Sequence, residues 1–450
     1  MAGSGTDQPN VVATLRGDLA DWRQWTARVV VLAHAAVAGL AIVAFTWLSD
    51  RALQGFAAVF GWHSWAPLIW TPAWTAALAW LTIRFAPAAA GSGIPQVMAA
   101  LSPSVEPAQR MGLVSLRLSA AKAVLTAGGL LGGLAIGREG PSVQIAAGIL
   151  QHAQRWLPQR TAITPQALLV AGGAAGIAAV FNAPLAGVMF AIEELTRKIE
   201  QRSSGLIVSA IVLAGLMSVS VFGNATYFGV LHVPQLGVAY LLPGALVTIG
   251  CGLLGGFFSR LLHTSIAGIG SDRFSGWRRR HPVPFAAACG LVIAVVGLVS
   301  GGTSFGSGYE TTRHLVEGQA TVPLLYVTLR LIATWLAIWS GVPGGLFAPS
   351  LAIGAGVGAD VALLVHMSDS SAPLIALGMT AFLAAITQAP ITAFIIVMEM
   401  VDGHAMVLSL MAAALVASLV SRWLSRPLYS TLAQEQLLRL GHVDPRLYAH

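Results

Sequence analysis

Apolar runs about as long as a bilayer is thick recur along this chain, and they fix the solvent in which it folds. A helix needs about 20 mostly apolar residues to cross the hydrocarbon core. Segments 29–48, 68–85, 205–222, 241–262 and 284–299 have that character, and more follow up to Trp423. Over 450 residues the chain is 56% hydrophobic and 10% charged, with a mean hydropathy of +0.74, outside the range of soluble globular domains. Alternation at strand period is absent, so the sequence predicts an all-α integral membrane bundle rather than a β-barrel.

Charge is arranged accordingly. Of 25 basic residues only Lys122 and Lys198 are lysines, and the arginines fall largely at the ends of apolar runs and in connecting loops. Isolated arginines that flank spans fit positive-inside topology better than nucleic-acid binding. Arg16, Arg23 and Arg28 before the first span, the cluster Arg273, Arg278, Arg279 and Arg280, and the pair Arg422 and Arg426 are all expected on the cytoplasmic side. The first 27 residues lack a cleavable signal pattern, which leaves the first span as the insertion signal. Cys251 and Cys289 both lie in apolar segments and are expected as inert buried thiols, with neither a disulfide framework nor a metal cluster.

An internal repeat is visible. Segment 170–193, VAGGAAGIAAVFNAPLAGVMFAIE, and segment 376–399, ALGMTAFLAAITQAPITAFIIVME, share an Ala-Pro pair followed by an apolar helix that ends in Glu, offset by 206 residues. Upstream, PSVQIAAG at 141–148 matches PSLAIGAG at 349–356 with an offset of 208. Two matches in one order and nearly one register indicate repeated halves, which in transporters place the substrate site where the halves meet. The similarity alone leaves parallel and inverted arrangements open.

Three glycine-rich stretches, each ending in proline and each running into an apolar helix, interrupt the pattern: GSGIP at 91–95, GREGP at 137–141 and GGLFAP at 344–349. Proline suits the first helical turn, so each reads as a loop feeding a helix N-terminus. Non-helical backbone at membrane depth survives only where protein buries it or it lines a cavity. Helix N-termini there aim free amides and positive dipole ends at the cavity, and three that converge would hold an anion. Ser92 adds a neutral hydroxyl donor. Partial charges of this kind let an anion both enter and leave.

Carboxylates inside apolar sequence are functional candidates by default. Glu139, at a loop-to-helix junction beside the expected anion site, would occupy that site when ionised and vacate it on protonation, which makes it both gate and proton carrier. Glu193 and Glu194 are adjacent on one helix, about 100° apart, so one is available to relay protons while the other makes structural contacts. Glu399 is the repeat equivalent of Glu193, and both read as structural. Arg138 reads either as a charge that attracts anions or as a salt-bridge partner that orients its loop. Metal spacings, nucleotide loops and enzyme signatures are absent. Ser92 between glycines has no recognisable histidine partner, which makes an intramembrane hydrolase a remote alternative.

GSGIP, GREGP and GGLFAP in this order and spacing resemble the three signature segments of the CLC chloride channels and transporters, and the resemblance runs from the first span to about Leu440. Asn182-Ala183-Pro184-Leu185-Ala186-Gly187 with Glu193-Glu194, and Arg426-Pro427-Leu428-Tyr429-Ser430, add to it. The resemblance implies a CLC-type bundle of many tilted and partly re-entrant helices in two inverted repeats, about 28–225 and 236–440, inside one transmembrane domain at 28–440. Cytoplasmic tails would occupy 1–27 and 441–450, without the nucleotide-sensing CBS domains of many relatives.

It also implies that Ser92 and Tyr429 give hydroxyls to a central chloride, with the backbone amides of Leu346 and Phe347. The amides of Arg138, Glu139 and Gly140 would form an outer site. Glu139 matches the gating glutamate and Glu194 the internal proton glutamate of the family's exchangers. Gln96 stands where many members carry Glu, and Leu346 replaces a common Ile. Serine at position 92 resembles the chloride-preferring members. The expected function is secondary active exchange of chloride for protons, without cofactor, in a homodimer with one pathway per subunit in a bacterial inner membrane. A passive chloride channel of the same fold is the alternative.

Overall fold

The computed structural model describes residues 22–159, 161, 163–196, 204–223, 226–229, 237–267, 273–319, 322–367 and 371–441. The expected tails at 1–27 and 441–450 and the junction at 225–236 lie wholly or partly outside the described residues.

The apolar runs form helices with the expected positions. The chain opens with α1 (Trp22–Trp62), α2 (Pro67–Phe85), α3 (Ile94–Ala100), α4 (Pro107–Leu113) and α5 (Leu116–Leu131). It continues through α6 (Glu139–His152), α7 (Pro165–Phe181), α8 (Pro184–Phe190) and α9 (Ser204–Phe222). The second half begins with α10 (Leu241–Ala267), α11 (Arg273–Arg280), α12 (Pro282–Val299), α13 (Tyr309–Val316) and α14 (Tyr326–Trp339). It closes with α15 (Phe347–Leu364), α16 (Ala372–Thr387), α17 (Pro390–Met400), α18 (Val407–Arg422) and α19 (Leu428–Arg439). The first helix exceeds the 29–48 segment at both ends; no proline falls within it, and its glycines, Gly39, Gly55 and Gly61, are tolerated in the helix interior.

Seven helical stretches among the described residues are long and apolar enough to cross a membrane. Others are too short: α7, α14, α16 and α17 fall below the length a straight crossing requires. Nearly every residue of α7 and α16 is buried on all sides. A helix apolar all round belongs in the middle of a protein, and these two form the centre of the molecule. Each packs along its length on the helix that follows a glycine-rich loop, α7 on α6 and α16 on α15. Gly354 of α15 and Gly378 of α16 lie so close that a Cβ on either would overlap the other's carbonyl, the close approach that small residues permit where dispersion holds helices together.

The repeat is a two-fold relation in space. Both central helices end on a residue in the left-handed region, Asn182 (φ 56°) after α7 and Gln388 (φ 57°) after α16, offset by the same 206 residues as the sequence repeat. Gly137 and Gly345, offset by 208, pair antiparallel: each amide donates to the other's carbonyl, at 2.8 and 2.7 Å.

Arg330 is an exception to the placing of arginines at span ends and in loops: in the N-terminal half of α14 it is wholly buried, with Nη1 and Nη2 donating to the carbonyls of Phe305 (3.1 Å) and Gly306 (2.8 Å). Loop carbonyls, not a carboxylate, compensate it.

Candidate functional site

The three glycine-rich loops are bonded to one another. Besides the Gly137–Gly345 pair, the Gly344 amide donates to the Gly91 carbonyl at 3.1 Å. Gly93 adopts φ 111°, which only glycine tolerates easily, and the turn it makes directs the chain into α3. The Gln96 side chain closes that turn: Oε1 accepts from the Gly93 amide (3.0 Å) and Nε2 donates to the Ala90 carbonyl (2.6 Å). A neutral amide performs both roles, so the departure from the common Glu at this position has a local purpose.

Around these loops the N-termini of α3, α6 and α15 gather, with α19 packed against α3. Ser92, Glu139, Leu346, Phe347 and Tyr429 are all buried. The Phe347 and Tyr429 rings stack, with centroids 5.9 Å apart and planes 13° apart. The Ser92 hydroxyl lies against Gly140, where a Cβ would collide with it. Neither the Ser92 hydroxyl nor the Tyr429 hydroxyl has a hydrogen-bond partner among the described residues. Buried polar atoms are rarely left so, and each exception asks for an explanation. The two hydroxyls lie near enough to interact with each other but form no well-aligned hydrogen bond, and beside helix N-termini they suit an anion placed between them.

Glu139 is fully buried. One carboxylate oxygen accepts from the Ala348 amide at 3.3 Å, at the start of α15, and the other has no partner. The side chain therefore reaches from the first turn of α6 to the first turn of α15 and lies where amides of both halves point. Its neighbour Arg138 is held by Asp50 (2.5 Å) and by the Tyr227 hydroxyl (3.2 Å), whose own backbone carbonyl accepts from Tyr309. Arg138 thus has the salt bridge, while its guanidinium also lines a cavity of about 800 Å3.

A second cavity, of about 400 Å3, reaches Ser92 and Leu346 and has no lining residue in common with the first. The first is walled by the C-terminal part of α1, the second by the segment after the C-terminal end of α2. Those two ends are separated by the 19-residue length of α2, about 28 Å at 1.5 Å per residue. The cavities therefore approach the buried cluster from opposite ends.

Glu193 and Glu194 do not continue α8. They lie on a π-helical turn, Ala191–Leu195, a local widening that often marks functional positions. Glu193 accepts from the amides of Ile391 (3.1 Å) and Thr392 (2.6 Å), and Glu399 accepts from those of Leu185 (3.2 Å) and Ala186 (2.6 Å). Glu194 has no hydrogen bond among the described residues and lies within electrostatic range of Tyr429.

Sequence reasoning missed Lys122. Its ammonium is fully buried on α5 and donates to the carbonyls of Ala89 (2.7 Å) and Gly91 (2.6 Å), immediately before Ser92. The signal was available in the sequence, since a lysine inside an apolar run is as exceptional as a glutamate there. Cys251 and Cys289 are free and buried, as expected.

Helix ends and unpartnered hydroxyls that meet at one buried point, between two cavities in an apolar bundle, define an ion-transport protein. Residues 74–422 match the family model described as voltage gated chloride channel, and the chain belongs to that family. It is 31% identical over 468 residues to a Citrobacter koseri protein named H(+)/Cl(-) exchange transporter ClcA, with 96% of each chain covered. A Salmonella paratyphi A protein of the same name is 31% identical over 373 residues, covering 80% of this chain and 76% of its own. Among solved structures, a slow cyanobacterial Cl-/H+ antiporter superposes with a TM-score of 0.80 at 24% identity, covering 92% of this chain and 99% of its own. A eukaryotic CLC transporter follows at 0.75 and 22% identity, covering 92% of this chain and 74% of its own. The fold is the CLC bundle, and the chain is a multi-pass membrane protein of the bacterial inner-membrane type.

Proposed function

We propose that this protein exchanges chloride for protons across the membrane. Chloride sits between the hydroxyls of Ser92 and Tyr429 and the backbone amides of Leu346 and Phe347. An outer site is formed by the amides of Arg138, Glu139 and Gly140. The Glu139 carboxylate is the gate and the outer proton carrier, and Glu194 is the inner proton station. The observation that carries this reading is the Glu139 carboxylate bonded to the Ala348 amide. An ionised carboxylate in front of helix N-termini stands in for a bound anion. When it takes up a proton its hold on the amides weakens, and chloride replaces it. One side chain thereby admits either an anion or its own charge, which links each proton to an anion movement. Glu194 lacks a capping bond and neighbours Tyr429, which supports its receiving protons on the inner side. The names of the relatives support the same exchange.

We further propose that the arginine-rich ends face the cytoplasm and that two copies pair. Leu185 and Ile391, whose amides Glu399 and Glu193 cap, are exposed on the described chain. A carboxylate so placed faces lipid unless a second copy covers it, and lipid is a costly neighbour for charge.

Proton movement in sealed proteoliposomes, driven only by a chloride gradient, tests the exchange. Uphill proton flux is expected. Chloride flux with no proton movement would leave a passive channel of the same fold.

A further inference from the structure

Beside the inner cavity lies another that the exchange does not use. It has a volume of about 300 Å3 and its lining includes three arginines, Arg278, Arg279 and Arg439, from α11 and the end of α19. No aspartate or glutamate is among its described lining residues. Arg278 is fixed by Nη1 bonds to the carbonyls of Ser265 (3.1 Å) and Ile266 (3.3 Å), not by a carboxylate. Burial, and after it the nearby charge of Arg439, pull the Arg278 guanidinium below its ordinary value. Glu435, which lines the adjoining cavity, has a carboxylate oxygen 2.9 Å from His263 Nε2. Arg278 and Arg439, like charges close together in a partly dehydrated pocket, raise the energy unless an anion joins them.

Size and shape decide which anion. A chloride is far smaller than this cavity. Guanidinium groups present planar forks that grip oxyanions two bonds at a time. One wall includes Ile83, half exposed on the outer surface of α2, so the cavity is reachable from the bilayer side as well as from solvent. Arg278, Arg439, Pro87, Ala90 and Gly341 line this cavity and also the one that reaches Ser92. Negative charge held here therefore stands beside the route to Ser92, sharing its walls.

We propose that this cavity binds a phosphate group, carried by a soluble phosphate compound or by an anionic phospholipid, and that its occupation throttles chloride entry to Ser92. The binding stands apart from the exchange reading, while the throttling rests on it. The probes are pyrophosphate and phosphatidylglycerol, applied to the full chain in neutral phosphatidylcholine bilayers, with wild type and Arg439→Gln compared. Arg439 is exposed at the end of α19, so the variant is expected to fold.

Saturable pyrophosphate binding by calorimetry, weakened about tenfold or more in Arg439→Gln, is the expected result, since an arginine fork contributes roughly that to oxyanion binding. Chloride flux should fall severalfold with pyrophosphate on that face, and much less in the variant. If phosphatidylglycerol produces the same Arg439-dependent reduction and pyrophosphate does not, the occupant is a lipid headgroup. Equal binding of both probes by wild type and variant, or none by wild type, would overturn the site. Arg439-dependent binding with unchanged flux would overturn the throttling, and because binding is read without transport, neither result depends on whether protons move.

Discussion

Glu193 caps the helix that opens after Ala389-Pro390, and Glu399, its repeat equivalent, caps the helix that opens after Ala183-Pro184. The relation is reciprocal: each half supplies the carboxylate that satisfies two orphan amides in the other. Contacts of the form i to j and j to i require a two-fold axis between the halves, and the antiparallel Gly137–Gly345 pair obeys the same axis.

Removing one of these carboxylates should therefore weaken the joint between the halves and leave coupling alone. Glu399→Ala loses two charge-assisted bonds and uncaps α8, a cost of about 1–3 kcal/mol. The expected outcome is a lower thermal midpoint in detergent with an unchanged ratio of protons to chloride. A changed ratio at an unshifted midpoint would contradict the structural role.

The proton roles proposed for Glu139 and Glu194 are separable by substitution. Glu139→Gln keeps the shape and removes the charge, so chloride should continue to pass while uphill proton movement ceases. Glu194→Gln should also lose proton movement and retain chloride flux, with little change in stability because its carboxylate caps nothing. Parallel chloride and proton flux assays on the two variants check this; coupled transport persisting in either would remove that residue from the proton path.

Gly140 sets how closely Ser92 approaches the start of α6. A methyl group there collides with the Ser92 hydroxyl, so Gly140→Ala should displace it. Losing one hydroxyl donor costs about 1.4 kcal/mol, or about tenfold in affinity. Chloride titration calorimetry would show the loss, and wild-type affinity in this variant would mean that Ser92 is not a ligand.

Lys122 holds the strand of loop that delivers Ser92. Lys122→Met fills a similar volume but abandons the Ala89 and Gly91 carbonyls. Two lost buried hydrogen bonds cost about 1–3 kcal/mol between them, so the thermal midpoint and chloride affinity should fall together. A drop in stability with unaltered affinity would confine Lys122 to a scaffolding role.

Much of the site was legible because its parts are local. A Gly-rich loop ending in proline announces a helix N-terminus through the geometry of a few consecutive residues, so GSGIP, GREGP and GGLFAP identified their helix starts without further context. Glu139 stood out because a carboxylate in apolar sequence must be explained. Other features depend on residues far apart in the chain. The sequence left Arg138 between two readings, and only the return of α1 with Asp50, 88 residues away, selected the salt bridge. The roles of Glu193 and Glu399 stayed general because their partners lie 198 to 214 residues away.

Hydropathy and repeat spacing alone determined that this chain is a helical membrane protein made of two similar halves, since both follow from the order of apolar residues and the length of a helix in lipid. Tertiary structure alone decided how the halves meet: which amides face which carboxylate, that Lys122 tethers the loop before Ser92, and that two cavities end at one buried cluster. Those are questions of where distant segments arrive, and short-range patterns of side chains carry no information about them.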